Sequence, residues 1–232
     1  VIENDGLYTA VEGLGEDRDA TKLSKQEIRD IVREAGIVGL GGAGFPTNVK
    51  LTPKDESKID YVIVNGAECE PYLTCDYRMM IEEPERLVGG LKVMLQLFEN
   101  AKAVIGIENN KPKAIEKLRA LVKDEPKITV EPLRTKYPQG GERSLIYAVT
   151  GREINSSMLP ADAGCVVDNV NTVMAIYDAV CKQTPILERV ITVTGDAVKE
   201  PQNFKVRTGM NYNDIIEAAG GFVGEPKKIL SG

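Results

Sequence analysis

Four short apolar runs rich in β-branched residues, at 61–64, 103–107, 128–130 and 165–167, recur along the chain. Helix-patterned stretches separate them, at 77–98 with a break near Pro84, then at 112–122, 142–149 and 170–182. Strands that lie parallel in one sheet need long crossovers, and a helix is the usual one. Near-continuous apolar strands are also those covered on both faces. This pattern predicts an α/β fold: a Rossmann-like open parallel sheet with helices on both faces.

The flanks read differently. Residues 3–13 resemble the end of a strand or an edge segment, and residues 13–20 are a polar, acidic linker. Ser24 and Glu27 have capping-box spacing ahead of Ile28, Ile31 and Val32, so a helix should start there and stop at Gly36. Beyond Pro185 the alternation at 189–195 and 204–206 suggests a hairpin, and 211–219 a short amphipathic helix closed by Gly220 and Gly221. Residues 227–230 would open a further strand. The expected organisation is a tail of a preceding domain plus linker at 1–23, an α/β domain at 24–185, and the opening part of a β-grasp (α+β) unit at 186–232.

Composition removes several function classes. The 29 Lys and Arg are outnumbered by 35 Asp and Glu, and no dense basic stripe occurs, which argues against nucleic acid as a partner. Histidine is absent, so Ser-His-Asp hydrolysis, imidazole proton shuttling and most transition-metal sites lose their commonest residue. Cys69, Cys75, Cys165 and Cys181 form no C-x-x-C pair and read as reduced thiols used as small apolar residues. No apolar stretch approaches the roughly 20 residues that cross a bilayer, so membrane association would come through partners. Reactions whose chemistry a cofactor performs remain open.

In an open parallel sheet, ligands bind beyond the carboxyl ends of the strands. The first strand leads into Asn65, Gly66, Ala67, Glu68, Cys69 and Glu70, and the second into Glu108, Asn109 and Asn110. The third leads through Arg134 to Tyr137, Pro138, Gln139, Gly140, Gly141 and Glu142, and the fourth into Asp168 and Asn169. Ahead of the sheet stands the run Gly39, Leu40, Gly41, Gly42, Ala43, Gly44, Phe45, Pro46. A backbone so bare can lie flat against a ligand and aim N–H groups at it. Neither the dinucleotide fingerprint nor a Walker loop has this spacing and place. Lys50 could offer a positive charge to a bound anion or be an exposed lysine. Glu68 and Glu70 could converge on ribose hydroxyls or the nicotinamide amide, or stand as lone surface acids.

Residues 35–50, 65–72 and 136–142, in that order, closely resemble the C subunit of Rnf-type electron-transport complexes. They are more distantly similar to the NADH- and FMN-binding subunit of respiratory complex I. The resemblance covers about 27–221 and implies FMN as cofactor and NADH as substrate. By position it implies flavin contacts from Gly39, Gly41, Gly42, Gly44, Lys50, Asn65, Glu68, Gly141, Glu142, Asp168 and Asn169, and nucleotide contacts from Phe45 and Glu70. It further implies electrons passed to two 4Fe–4S clusters expected only in the full-length protein. The other subunits of a membrane complex would be partners, and the location peripheral on the cytoplasmic side of the cell membrane. Ala67 and Arg143 depart from the complex I pattern, where both positions are acidic, and fit the Rnf branch better. A cobalamin-reductase-type flavoprotein of microcompartments shares the glycine loop and is the rival within the class. A non-catalytic scaffold with a decayed flavin site is the rival outside it.

Overall fold

The structure, a computed structural model, describes residues 5–231. The first helix, α1 (Lys25–Glu34), begins with the expected capping box: Ser24 accepts from the Glu27 N–H at 3.2 Å, and Glu27 accepts from the Ser24 N–H at 2.8 Å. Its Ile28 and Val32 are fully buried, and Gly36 closes it with φ +67°. A single turn, α2 (Thr47–Lys50), leads to β1 (Tyr61–Gly66). Then follow α3 (Cys75–Glu82), α4 (Pro84–Leu97), β2 (Lys102–Glu108), α5 (Pro112–Leu121), β3 (Ile128–Leu133), α6 (Glu142–Thr150), β4 (Cys165–Asn169) and α7 (Val170–Cys181).

The four strands form one parallel sheet in the order β3-β2-β1-β4. Their side chains alternate between two covered faces. Val62, Val64, Ala103, Ile105, Ile107 and Val166 pack into the large core shared with α4, α5 and α7. Ile63, Leu133, Cys165 and Val167 face the other way, onto Leu145 and Ile146 of α6. The expected α/β sheet with helices on both faces is therefore present. Helices α4 and α7 approach closely because α4 carries Gly90, where a Cβ would lie 2.0 Å from the Val173 carbonyl oxygen.

At the far end, β5 (Glu188–Val193) and β6 (Gln202–Arg207) pair antiparallel and α8 (Tyr212–Ala218) follows, as the alternation anticipated. Two flanking expectations fail. Among the described residues of the 3–13 segment no strand forms; Val1 to Asn4 lie outside those described. The linker that follows is held against the end of α7, the Gly15 and Arg18 N–H groups donating to Lys182 and Cys181 carbonyls at 3.0 and 2.8 Å. Residues 227–230 are not a strand either. The pairing in that region stops at an isolated bridge between Val198 and Phe222, and a strand without a ladder partner has no hydrogen bonds to hold it.

Candidate functional site

The glycine run is a cinched loop. Val38 bridges Pro46, the Gly39 N–H donates to the Phe45 carbonyl at 2.8 Å, and the Thr47 N–H donates to the Ile37 carbonyl at 3.0 Å. Residues 41–46 remain exposed outside this neck. The loop is tied down over the sheet: the Leu40 N–H donates to Thr172 Oγ1 in the first turn of α7 at 2.9 Å, and Arg189 of β5 donates to the Leu40 carbonyl at 3.0 Å. Gly41 presses on Asn169, the last residue of β4; a Cβ there would meet the Asn169 side chain at 2.7–2.9 Å. Gly44 turns the loop with φ +67°, while Gly42 faces open space. The bare main chain thus sits at the carboxyl tip of β4.

Beneath it, Lys50 reaches the same tip. Its Nζ donates to the Val167 carbonyl at 2.8 Å and to Glu142 Oε1 at 3.1 Å, and lies 3.8 Å from Asp168 Oδ1. Glu142 stands in the first turn of α6, after Gly141 at the N-cap. Asp168 is fully buried, and neither of its oxygens has a hydrogen-bond partner. Burial, with the Glu142 charge adding and Lys50 opposing, pushes its carboxyl up to about 7. On β1, Asn65 is the register partner of Asn169, and Val64 that of Asp168. The Asn65 amide donates to the Gly140 carbonyl at 2.8 Å, and the Gly140 N–H donates to Cys69 Sγ at 3.2 Å. The loops after β1, β3 and β4 therefore meet, joined by these bonds.

Glu68 and Glu70 do not converge. Glu68 adopts φ +50°, which turns its carboxylate onto the start of α3, where it accepts from the Asp76 and Tyr77 N–H groups at 2.7 and 3.3 Å. Burial first, and then Asp76, push its carboxyl up to about 7. Glu70 is exposed; its charge holds the Tyr137 phenol above the ordinary range. Phe45, at the end of the glycine loop, is half exposed. Among the described residues, no hydrogen bond or ion pair joins Phe45 or Glu70 to the Lys50 cluster.

Two buried charges that frame the site escaped the sequence reading. Asp76 accepts from the side-chain amides of Asn169 and Asn171, both at 2.6 Å, and so fixes the β4–α7 corner under Gly41. Burial pushes its carboxyl up, opposed by those two amides. Lys111 is buried, donates to the Ala67 carbonyl at 2.8 Å and lies 3.7 Å from Glu108, which itself accepts from the Lys136 N–H at 3.2 Å. A lysine directly before a helix-starting proline was the available signal for Lys111; Asp76 had none beyond its place in a first turn.

A parallel sheet whose strand tips gather a bare glycine loop, a lysine and amide side chains defines an α/β protein with one ligand mouth. The Nuo51 FMN-binding domain matches residues 32–178, and the chain belongs to that family. The SLBB domain matches residues 190–229. Among curated relatives, the C subunit of the proton-translocating ferredoxin:NAD(+) oxidoreductase complex of Clostridium ljungdahlii is 50% identical over the whole chain, which covers 50% of that protein. The C subunit of the Na(+)-translocating counterpart from Acetobacterium woodii is 46% identical, with 100% of this chain and 52% of that one covered. The C subunit of the ion-translocating oxidoreductase complex of Pseudomonas aeruginosa is 39% identical, with 100% and 30% covered. The chain thus spans about half the length of the first two relatives and less of the third. The resemblance to Rnf-type C subunits read from the three motifs is borne out. An NAD+-reducing NiFe hydrogenase in its air-oxidised state has a chain that superposes with TM-score 0.72 at 25% identity, over 91% of this chain and 41% of that one. The H2-reduced state gives 0.73 at 23%, over 87% and 40%.

Proposed function

We propose that this chain holds FMN against its glycine loop and takes electrons from NADH at that site, passing them on toward iron–sulfur clusters elsewhere in a longer protein. The observation that carries the reading is the seat of the loop: exposed main chain at 41–44, pinned by Gly41 on Asn169 over the tip of β4. The residues fit a flat, phosphate-bearing ligand. The loop offers N–H groups without side chains in the way, and Lys50 offers a cation. Gly39, Gly41, Gly42, Gly44, Lys50, Asn65, Gly141, Glu142, Asp168 and Asn169 are the proposed flavin residues. Phe45 and Glu70 are proposed for the nucleotide. Glu68 contributes by holding the start of α3.

When bound, FMN supplies acceptance of a hydride and return of electrons one at a time. The chain's own part is to fix two rings in contact and to set the field around them. Asn65 and Gly140 lock the β1 and β3 loops to each other, and Asp76 locks the β4–α7 corner, so the donors are held before any ligand arrives. The relatives' names support the wider setting of a subunit within a multi-subunit ion-translocating complex; a peripheral position on the cytoplasmic side of the cell membrane is proposed with it. Among the described residues no helix is long and apolar enough to cross a membrane. The division at 24–185 and 186–232, with 1–23 as the tail of a preceding domain plus linker, is proposed as the domain layout.

Calorimetry and absorbance titration of the folded protein with FMN test the site, followed by anaerobic addition of NADH. Stoichiometric binding with bleaching of the flavin bands is expected. A folded protein that leaves FMN free rules the site out.

A further inference from the structure

We propose that Asp168 is the proton acceptor of this site: when the phosphate-bearing flavin settles against Lys50, the buried Asp168 carboxylate takes up one proton from solvent. The inference rests on the FMN reading above and extends it to a role for one residue. Its basis is the count of charges around Lys50. One ammonium group is shared by Glu142 Oε1 at 3.1 Å and Asp168 Oδ1 at 3.8 Å, with the Val167 carbonyl at 2.8 Å as its third oxygen. Two carboxylates around one cation leave a net negative site, yet an incoming phosphate needs that same cation.

The two carboxylates are not equivalent. Glu142 is partly exposed, so its side chain can turn outward into water. Asp168 is sealed, with no hydrogen bond to either oxygen, and has neither solvent nor a second donor to fall back on. The charged groups facing it are Lys50 from α2 and Glu142 from α6; its register partner on β1 is the apolar Val64. Once a phosphate draws Lys50 away, neutralisation by a proton is the only route that leaves no unpaired buried charge. The step balances simply: one carboxylate and one solvent proton become one carboxylic acid. Burial already holds the group near the point where it accepts that proton.

The test is calorimetric titration of the protein with FMN at about pH 8, in two buffers of different ionisation enthalpy. The difference in observed heat reports protons taken up per FMN bound, with about one expected. Binding should weaken by up to about tenfold per pH unit above that point, because the proton must come from a scarcer pool. Asp168→Asn should bind FMN with no uptake and little pH dependence, and riboflavin, lacking the phosphate, should bind without uptake. Should Asp168→Asn not fold, an infrared difference spectrum of the unsubstituted protein replaces it, and FMN addition should raise a protonated-carboxyl band. FMN binding without proton uptake, equal uptake by Asp168→Asn, or equal uptake with riboflavin overturns the assignment while leaving the flavin site standing. No binding of FMN at all overturns both.

Discussion

Gly41 and Asn169 are in contact across the ligand mouth: a Cβ on residue 41 would sit 2.7 Å from the Asn169 side-chain nitrogen and 2.8 Å from its Cγ. Asn169 also caps α7 and donates to Asp76, so a push on it is felt by three elements at once. Gly41→Ala should cost about 1–3 kcal/mol of stability as an overpacked contact and should lower FMN affinity at least about tenfold. Gly42 is the control, since its Cβ would meet nothing within 4 Å. Gly42→Ala should leave stability within about 0.5 kcal/mol yet still weaken FMN, because only the ligand would touch the added methyl. Thermal melts paired with FMN titration decide it; an unaltered FMN affinity in Gly42→Ala would remove the ligand from this surface.

Stability should decline as pH rises through the range where Asp168 and Glu68 lose their protons. Both carboxyls are pushed up to about 7, whereas an unfolded chain releases them near pH 4. Between those limits the folded state binds the extra protons, so stability falls with rising pH and the full cost is present above about 7. In the ligand-free protein, Asp168→Asn should flatten this slope, matching the unsubstituted chain at about pH 4 and melting roughly 3 °C or more higher near pH 8. A steeper decline in the variant would show that Lys50 stabilises ionised Asp168 more than burial opposes it.

The alternation of apolar runs and helices was enough to place the sheet, because strand and helix periods differ and each run was bounded by turn residues. The strands extend past those runs, β1 to Gly66 and β2 to Glu108, since pairing continues into polar residues that hydropathy alone leaves out. The glycine loop was legible for the same kind of reason: its lack of side chains is itself the signal. What stayed hidden depended on direction. Two acids spaced as Glu68 and Glu70 could have met or parted, and the positive φ of Glu68 decided that they part. Asp76 and Lys111 were passed over because a buried charge looks like any surface charge until partners from distant segments, Asn169 and Asn171 or the Ala67 carbonyl, close around it.

The contact of α4 with α7 predicts a large, purely structural effect. At Gly90 an added Cβ would lie 2.0 Å from the carbonyl oxygen of Val173, which is backbone and cannot swing aside. Gly90→Ala should therefore destabilise by about 3 kcal/mol or more, despite the better helix propensity of alanine. Denaturant unfolding measures it. A neutral result would mean the helices separate cheaply, which the buried Leu91, Met94, Val173 and Ile176 around the contact argue against.

Glu68 should behave as a helix cap whose charge is a burden. Its carboxylate takes two N–H groups at the start of α3, while Asp76 stands close enough to raise its proton affinity. Glu68→Ala removes the acceptor and should cost about 1 kcal/mol or somewhat more. Glu68→Gln keeps an oxygen for one N–H and removes the repulsion, so near pH 8 it should be at least as stable as the unsubstituted chain. The ordering Gln above Ala, measured by thermal melts at that pH, is the check; Ala equal to Gln would mean the cap contributes nothing.

Lys111 and Glu108 make the sharpest case for a charge that matters only through its partner. Lys111 is buried and binds the Ala67 carbonyl, so it holds the loop after β1 against the loop after β2. Glu108, equally sealed, lies 3.7 Å away and fixes Lys136 at the entrance to the third loop. Lys111→Met alone strands a buried carboxylate and should cost about 3–5 kcal/mol. Adding Glu108→Gln, which keeps an acceptor for the Lys136 N–H but carries no charge, should recover a large part of that loss. A double-mutant cycle by chemical denaturation gives the coupling directly. Additive losses would mean that the two loops are held by their backbone contacts alone, and that the cation beneath the β1 loop is dispensable to the site.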